Sequence, residues 1–217
     1  MIPKINKKSF ILDYSMDTEK TLEVLKEEYK TCTRCPKLCA SRTQVVFGSG
    51  NQHAKILFIG EAPGASEDKE GIPFCGASGK ILNQLLVSVN LSREDIFITN
   101  TILCRPENNR NPEKKEVEHC QERLDTLIKI MKPRVIVTIG NFATDRILKK
   151  NGITNIHGKI FSTIIQNTTI DVVPVIHPAN YLYQGRNPQL FEQMKKDFEV
   201  IVSLAKERKP QKNFLGF

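Results

Sequence analysis

The sequence predicts an α/β fold: a three-layer α/β/α sandwich around a central four-stranded parallel sheet. Four short apolar runs carry that expectation: 55-KILFIG-60, 96-IFITN-100, 135-VIVTIG-140 and 172-VVPVIH-177. Each is β-branched or aromatic and bounded by polar or turn residues, as strands buried on both faces are. Segments of helical periodicity lie between the runs. Strands alternating with helices imply right-handed crossovers and a sheet covered on both sides.

Taken in order, 19-EKTLEVLKEEYK-30 reads as a helix that leads into a cysteine pair. The stretch 79-GKILNQLLVSVN-90 places Ile81, Leu82, Leu85, Leu86 and Val89 at helical spacing. In 113-EKKEVEHCQERLDTLIKIMK-132, Val117, Leu124, Leu127, Ile128 and Met131 share one side. After the third run, 141-NFATDRILKK-150 reads as a short helix begun at an Asn cap and stopped by Asn151-Gly152. The stretch 159-KIFSTII-165 is expected to form a hairpin ahead of the fourth strand, and 187-NPQLFEQMKKDFEVIVSLAK-206 a last helix opened by Asn and Pro. There is no internal repeat. The chain thus divides into one domain over 1–206, with an N-terminal helical segment, and a flexible tail over 207–217.

At 217 residues, with 40% hydrophobic and 26% charged residues, the composition is that of a soluble globular domain with a sizeable core. The N-terminus MIPKINKKSFILDYSMDTEK has no apolar run of signal-peptide length, and no stretch approaches membrane-spanning length. A cytoplasmic protein is expected, with reduced thiols, which excludes the secreted disulfide scaffolds. The net charge of +8 favours a polyanionic partner. Of six cysteines, two stand as Cys-x-x-Cys in 32-CTRCPKLC-39, and Cys104 and Cys120 follow far downstream. Such a pair is open to four readings: a disulfide, half of a zinc site, a redox dithiol, or ligands of an iron–sulfur cluster.

In an open parallel sheet, ligands bind at the carboxyl ends of the strands. Those ends carry Gly60-Glu61, Asn100, Gly140-Asn141 and His177-Pro178, so an acid, an amide and an imidazole converge on one rim. The loop 60-GEAPGASEDKEGIPFCGASGK-80 is rich in small residues that suit close backbone approach to a ligand. It has neither the Walker A spacing nor a dinucleotide-binding G-x-G-x-x-G. Phe74 in this loop is placed either in the core or against a planar base. In 100-NTILCRPENNRNP-112, Cys104 stands beside Arg105, Asn109 and Arg110, a loop able to turn cations toward phosphate. Cys120 lies on a polar helical stretch, odd for a cysteine that only fills core.

Together these residues resemble the family 4 uracil-DNA glycosylases, the iron–sulfur enzymes of bacteria and archaea. The likeness covers roughly residues 30–205. It rests on the Cys-x-x-Cys pair, 60-GEAPG-64 with Glu67-Asp68, 73-PF-74 with Gly76 and Gly79, Asn100 with 104-CRP-106, Asn109-Arg110, Cys120 and 177-HPA-179. The resemblance implies that Cys32, Cys35, Cys104 and Cys120 ligate one [4Fe–4S] cluster of structural role, with Cys39 and Cys75 outside the set and Cys39, close to Cys35, as a rival ligand. Four thiolates suit zinc as well as a cluster, and only the likeness favours the cluster.

The same resemblance implies excision of a uracil flipped out of DNA. Phe74 would stack on the base, Asn100 would read O4 and N3–H, and His177 would steady the departing anion at O2. Glu61 would line the pocket. At Ala62 the best-known uracil glycosylases carry an aspartate that orients water, so Glu67 becomes the expected water-positioning group, with a structural capping role as its alternative. Arg105, Asn109 and Arg110 are expected at DNA. In 178-PANYLYQGRNP-188, Leu182 and Arg186 are expected in the minor groove, with Tyr181 or Tyr183 stacking. The tail 211-QKNFLGF-217 resembles a DNA sliding-clamp ligand through Gln211, Phe214 and Phe217, although it has one terminal aromatic and Phe214 where Leu, Ile or Met is usual. A monomer at the nucleoid is expected. Three alternatives stand beside this reading: a family 5-type glycosylase for other deaminated bases, against which Glu61 argues; a cluster-bearing DNA-binding or redox-sensing protein without catalysis; and a zinc-stabilised binding module.

Overall fold

The computed structural model describes residues 18–165 and 167–206. In chain order they form α1 (Thr18–Lys30), α2 (Pro36–Ser41), β1 (Ser49–Gly50), β2 (Ile56–Gly60), α3 (Ala65–Glu70), α4 (Ala77–Ser88), β3 (Ile96–Asn100) and α5 (Lys114–Met131). There follow β4 (Val135–Ile139), α6 (Gly140–Leu148), α7 (Ile153–Ile156), β5 (Phe161–Ile165), β6 (Thr168–Val175), α8 (Ala179–Tyr183) and α9 (Pro188–Lys206). The sheet runs β1-β3-β2-β4-β6-β5. Its four central strands are parallel, and β1 and β5 pair antiparallel at the two edges.

The alternation of side chains across β2 accounts for the three layers. Leu57 and Ile59 join a core with Leu124, Leu127 and Ile128 of α5 and Ala143 of α6, while Ile56 and Phe58 join a second with Leu82 and Leu85 of α4 and Met194 and Phe198 of α9. Each strand residue of β2, β3 and β4 is buried, as a sheet covered on both faces requires. The expected sandwich and its parallel centre are observed, with six strands in place of four. The strand Ser49–Gly50 is too short to leave a hydrophobic pattern, and β6 begins at Thr168, ahead of the apolar run at 172, because it pairs from there with β5, its first two residues being exposed in that hairpin.

Two local expectations need correction. Helix α6 begins at Gly140, and the Asn141 amide does not cap it; Asn141 Oδ1 accepts the N–H groups of Gly152 and Ile153, 3.1 and 3.0 Å away, at the start of α7. The helix ends at Leu148 with Lys149 left-handed at φ 55°, ahead of Asn151-Gly152. Short helices α3 and α8 stand in stretches expected to be loops, and α2 and α7 in stretches for which no element was expected. Among the described residues no helix is long and apolar enough to cross a membrane. The tail residues Gln211, Phe214 and Phe217 lie outside the described residues.

Candidate active site and thiol cavity

The carboxyl ends of β2, β3 and β6 open into a cleft of about 430 Å³. Glu61 and Ala62 follow β2, Asn100 ends β3, and His177 follows β6; all four line the cleft, with Glu67 and Phe74 of the loop after β2. Asn141 is spent on the start of α7 and lies apart.

Asn100 is 1% exposed, yet neither its Oδ1 nor its Nδ2 has a hydrogen-bond partner. Burying an amide without partners costs about 1–3 kcal/mol per group, so such an amide in a cleft wall is unusual unless a ligand completes it. The floor beside it is kept open at Gly60, where a Cβ would fall on Asn100 Oδ1 and 2.6 Å from the Phe74 ring.

His177 closes the opposite wall, its ring centroid 5.8 Å from that of Phe74. Burial pushes the imidazole down to about 4, with only a small opposing pull from Glu67, so the ring is neutral at pH 7. Its Nδ1 accepts the Ala179 N–H at 3.1 Å. A neutral imidazole carries one proton, which therefore sits on Nε2. The site thus offers one N–H donor in a fixed tautomer.

Phe74 is 7% exposed and has the left-handed φ of 54°, which an aromatic residue adopts only when its surroundings hold it there. Arg93 supplies that hold: its Nη2 donates to Phe74 O at 2.6 Å and its Nη1 to Pro73 O at 3.2 Å. Gly79 lets α4 pass against the same carbonyl, since a Cβ there would collide with Phe74 O. Glu67 braces the loop, accepting from Gly64 N at 3.1 Å and Gly76 N at 2.8 Å. The bond to Gly64 is a helix cap, since Gly64 is the N-cap of α3 and Glu67 its third residue, so the capping role named as the alternative for Glu67 is present. The buried Asp68 ties the loop across the chain, accepting the Thr43 N–H at 2.9 Å on both carboxylate oxygens. Burial raises the Glu61 carboxyl above the usual carboxylate range, and its backbone carbonyl accepts from Thr101 Oγ1 at 2.5 Å.

The cationic residues ring the mouth unequally. Asn109 and Arg110 line the cleft, and Arg110 is paired with Glu116 at 2.6 Å. Arg105 Nε donates to Asn109 Oδ1 at 2.8 Å. Leu182 and Arg186 line a neighbouring depression between α4 and α8. Leu182 packs against the core and Arg186 is exposed. Tyr181 packs against Phe191 with centroids 5.5 Å apart and the rings tilted by 57°, whereas Tyr183 is 84% exposed at the cleft.

On the other side of β3, Cys32, Cys35, Cys104 and Cys120 line one small cavity with Tyr29, Leu38 and Arg42. Burial and the neighbouring thiols of Cys120, Cys104 and Cys32 push the Cys35 thiol up to about 12. Burial pushes Cys104 up to about 11 against the pull of Arg42, whose Nη1 donates to Cys104 Sγ at 2.9 Å. Cys39 Sγ donates to Cys32 O at 3.5 Å. Among the described residues no three or more His, Cys, Asp or Glu side chains stand so as to share a single metal ion.

Two arginines escaped the sequence reading. Arg93 lies in the plain polar stretch 92-SREDIF-97, which carries no signal of its contact with Phe74. Arg123 is 0% exposed, and its Nη2 donates to Asn100 O at 2.7 Å. Here a signal existed: Arg123 falls on the apolar face of α5, between Cys120 and Leu127.

A family model described as the uracil DNA glycosylase superfamily matches residues 47–199. A type-4 uracil-DNA glycosylase of Sulfurisphaera tokodaii is 44% identical over 191 residues, covering 85% of this chain and 85% of that protein. The type-4 enzyme of Archaeoglobus fulgidus is 39% identical over 195 residues, covering 88% and 96%. A type-5 uracil-DNA glycosylase of Pyrobaculum aerophilum is more distant, 29% identical over 181 residues, covering 68% and 78%. The resemblance drawn from the motifs is borne out: the chain belongs to the uracil-DNA glycosylase superfamily and, within it, to the type-4 uracil-DNA glycosylases.

Proposed function

We propose that this chain is a monofunctional uracil-DNA glycosylase that flips uracil from DNA and hydrolyses its N-glycosidic bond, leaving an abasic site for base excision repair. The observation that carries the reading is the buried Asn100 amide, with both polar atoms unpartnered in the wall of the cleft. Uracil completes it: Nδ2 donates to O4 and Oδ1 accepts from N3–H. Cytosine offers a donor and an acceptor in the reverse places, and a site whose buried polar groups go unpaired rejects a base by about 10⁴-fold or more. Phe74 is held against the base by Arg93 and Gly79.

In the reaction the C1′–N1 bond breaks and its electron pair leaves with the base. His177 Nε2–H donates to O2 as the negative charge develops, a donor already in place and uncharged. The water oxygen bonds C1′, and the proton it gives up ends on the uracil. Glu67 is the group we assign to hold that water, since its carboxylate lines the cleft, is fixed by two backbone donors, and has lone pairs to spare. Asn109, Arg110, Arg105, Leu182 and Arg186 are assigned to the DNA around the flipped nucleotide.

A [4Fe–4S] cluster held by Cys32, Cys35, Cys104 and Cys120 fits the donor set, because four thiols line one cavity and a guanidinium faces one of them. Hydrolysis moves no electron, and the cluster would act as a structural clip joining the N-terminal segment to the loop that lines the cleft. We further read the tail at Gln211, Phe214 and Phe217 as a sliding-clamp ligand and the enzyme as a monomer acting at the nucleoid.

The test is an oligonucleotide with one uracil, incubated with purified protein and cleaved by alkali, beside strands carrying thymine, cytosine or hypoxanthine. Cleavage confined to uracil and lost in Asn100→Ala supports the proposal. Cleavage at hypoxanthine as well would move the chain toward the type-5 activities. No cleavage by brown, iron-loaded protein would leave a DNA-binding protein without catalysis, and colourless, zinc-containing protein would refute the cluster.

A further inference from the structure

The guanidinium of Arg123 is buried completely. Its donors go to the end of β3. Nη2 donates to Asn100 O at 2.7 Å and Thr101 O at 3.4 Å, and Nη1 to Thr99 Oγ1 at 3.1 Å. Thr99 Oγ1 in turn donates to Phe47 O at 2.7 Å. Nε has no partner, so the residue is retained at a cost that an apolar side chain on this face of α5 would avoid.

The topology explains what the arginine supplies. On its outer edge β3 is paired with β1 only at Phe97 and Ile98, with the Asn51 N–H reaching Ile96 O beside them, because β1 is two residues long. Asn100 lies beyond that pairing, and its carbonyl receives the guanidinium where a strand would otherwise donate. The backbone of Asn100 is therefore held from one side by β2 and, at its own carbonyl, from the other by the Arg123 side chain.

We propose that Arg123 is a positioning residue for base recognition: it fixes the end of β3 so that the Asn100 amide meets both polar edges of the base at once. The inference rests on the reading of Asn100 as the base-recognising group. Arg123 is fully buried and lines no part of the cleft, and in this inference it acts through Asn100 alone. It also stands one helical turn after Cys120, so the same turn of α5 presents a thiol to the cavity and a guanidinium to the rim.

Single-turnover excision should be measured for Arg123→Lys, Asn100→Ala and the double variant. Lysine keeps the charge and loses the fork. Excision should slow by about 10–100-fold, the cost of misplacing a recognition group by about an ångström. Inhibition by free uracil should weaken in parallel, while affinity for abasic-site DNA and iron content stay unchanged. In the Asn100→Ala background Arg123→Lys should add no further loss, as a residue acting only through Asn100 requires. Wild-type excision by Arg123→Lys, or losses that multiply in the double variant, would overturn the inference. Should Arg123→Lys fail to fold, Thr99→Val removes one acceptor of the fork and should slow excision by about 2–10-fold, again only when Asn100 is present; an unchanged rate overturns the inference equally. Full activity in Asn100→Ala would instead sink the base-reading role, a failure distinct from an Arg123 variant that is simply normal.

Discussion

Replacing Asn100 by leucine, a side chain of similar size, should move stability and activity in opposite directions. In the free protein the amide is 1% exposed and unpartnered at both polar atoms. Removing two such groups relieves a burial cost of about 1 kcal/mol or more, which for a domain of this size raises Tm by about 2–4 °C per kcal/mol. With uracil in the cleft the balance reverses. The base then buries O4 and N3–H without partners, at about 1–3 kcal/mol each, so excision should fall by roughly 30-fold to 10⁴-fold. Thermal melting of the free protein and single-turnover excision on one uracil oligonucleotide measure the two effects. A variant that loses activity and stability together would show that Asn100 serves the fold, and the argument from its unpartnered atoms would fail.

The His177 imidazole, pushed down to about 4 by burial, stays neutral well below the usual histidine range. Excision should therefore be level from pH 8 to about pH 5 and fall along an acid limb near 4, whereas a limb near 6.5 would refute the buried neutral ring. The same shift acts on folding: the unfolded chain takes up this proton before the folded one does, so His177 costs no stability above about 6.5 and lowers it as pH falls toward 4, as acid titration followed by circular dichroism would show. Arg93→Met releases the carbonyls of Pro73 and Phe74 and should cost about 1–3 kcal/mol of stability with slower excision; melting and excision both unchanged would mean that the left-handed Phe74 needs no clamp. Cys120→Ser should lose iron, visible absorbance and several degrees of Tm, while Cys39→Ser and Cys75→Ser retain the iron; iron retained by Cys120→Ser would break the assigned ligand set.

The parallel centre of the sheet was legible because its strands are buried on both faces and so read as continuous apolar runs. Asn100 and His177 were legible for a related reason, standing where such runs end. Phe74 was noticed for its neighbours, but its left-handed backbone was not, because that conformation is imposed by Arg93 from nineteen residues away in the chain and by the bare backbone of Gly79. Asn141 misled because the letters of a helix cap are the same whichever helix the amide serves. Strand β1 carries no pattern at all, since two residues hold their place by backbone pairing alone.

The cavity lined by Cys32, Cys35, Cys104 and Cys120 also sets a timetable for the newborn chain. The first two thiols leave the ribosome about 85 residues ahead of the last, which at about 5–20 residues per second is roughly 4–17 s. Through that interval Cys32 and Cys35 wait without their distant partners. Whatever joins the four can do so only once Cys120, in the first half of α5, has emerged, by which point the residues of β1, β2 and β3 have all been made.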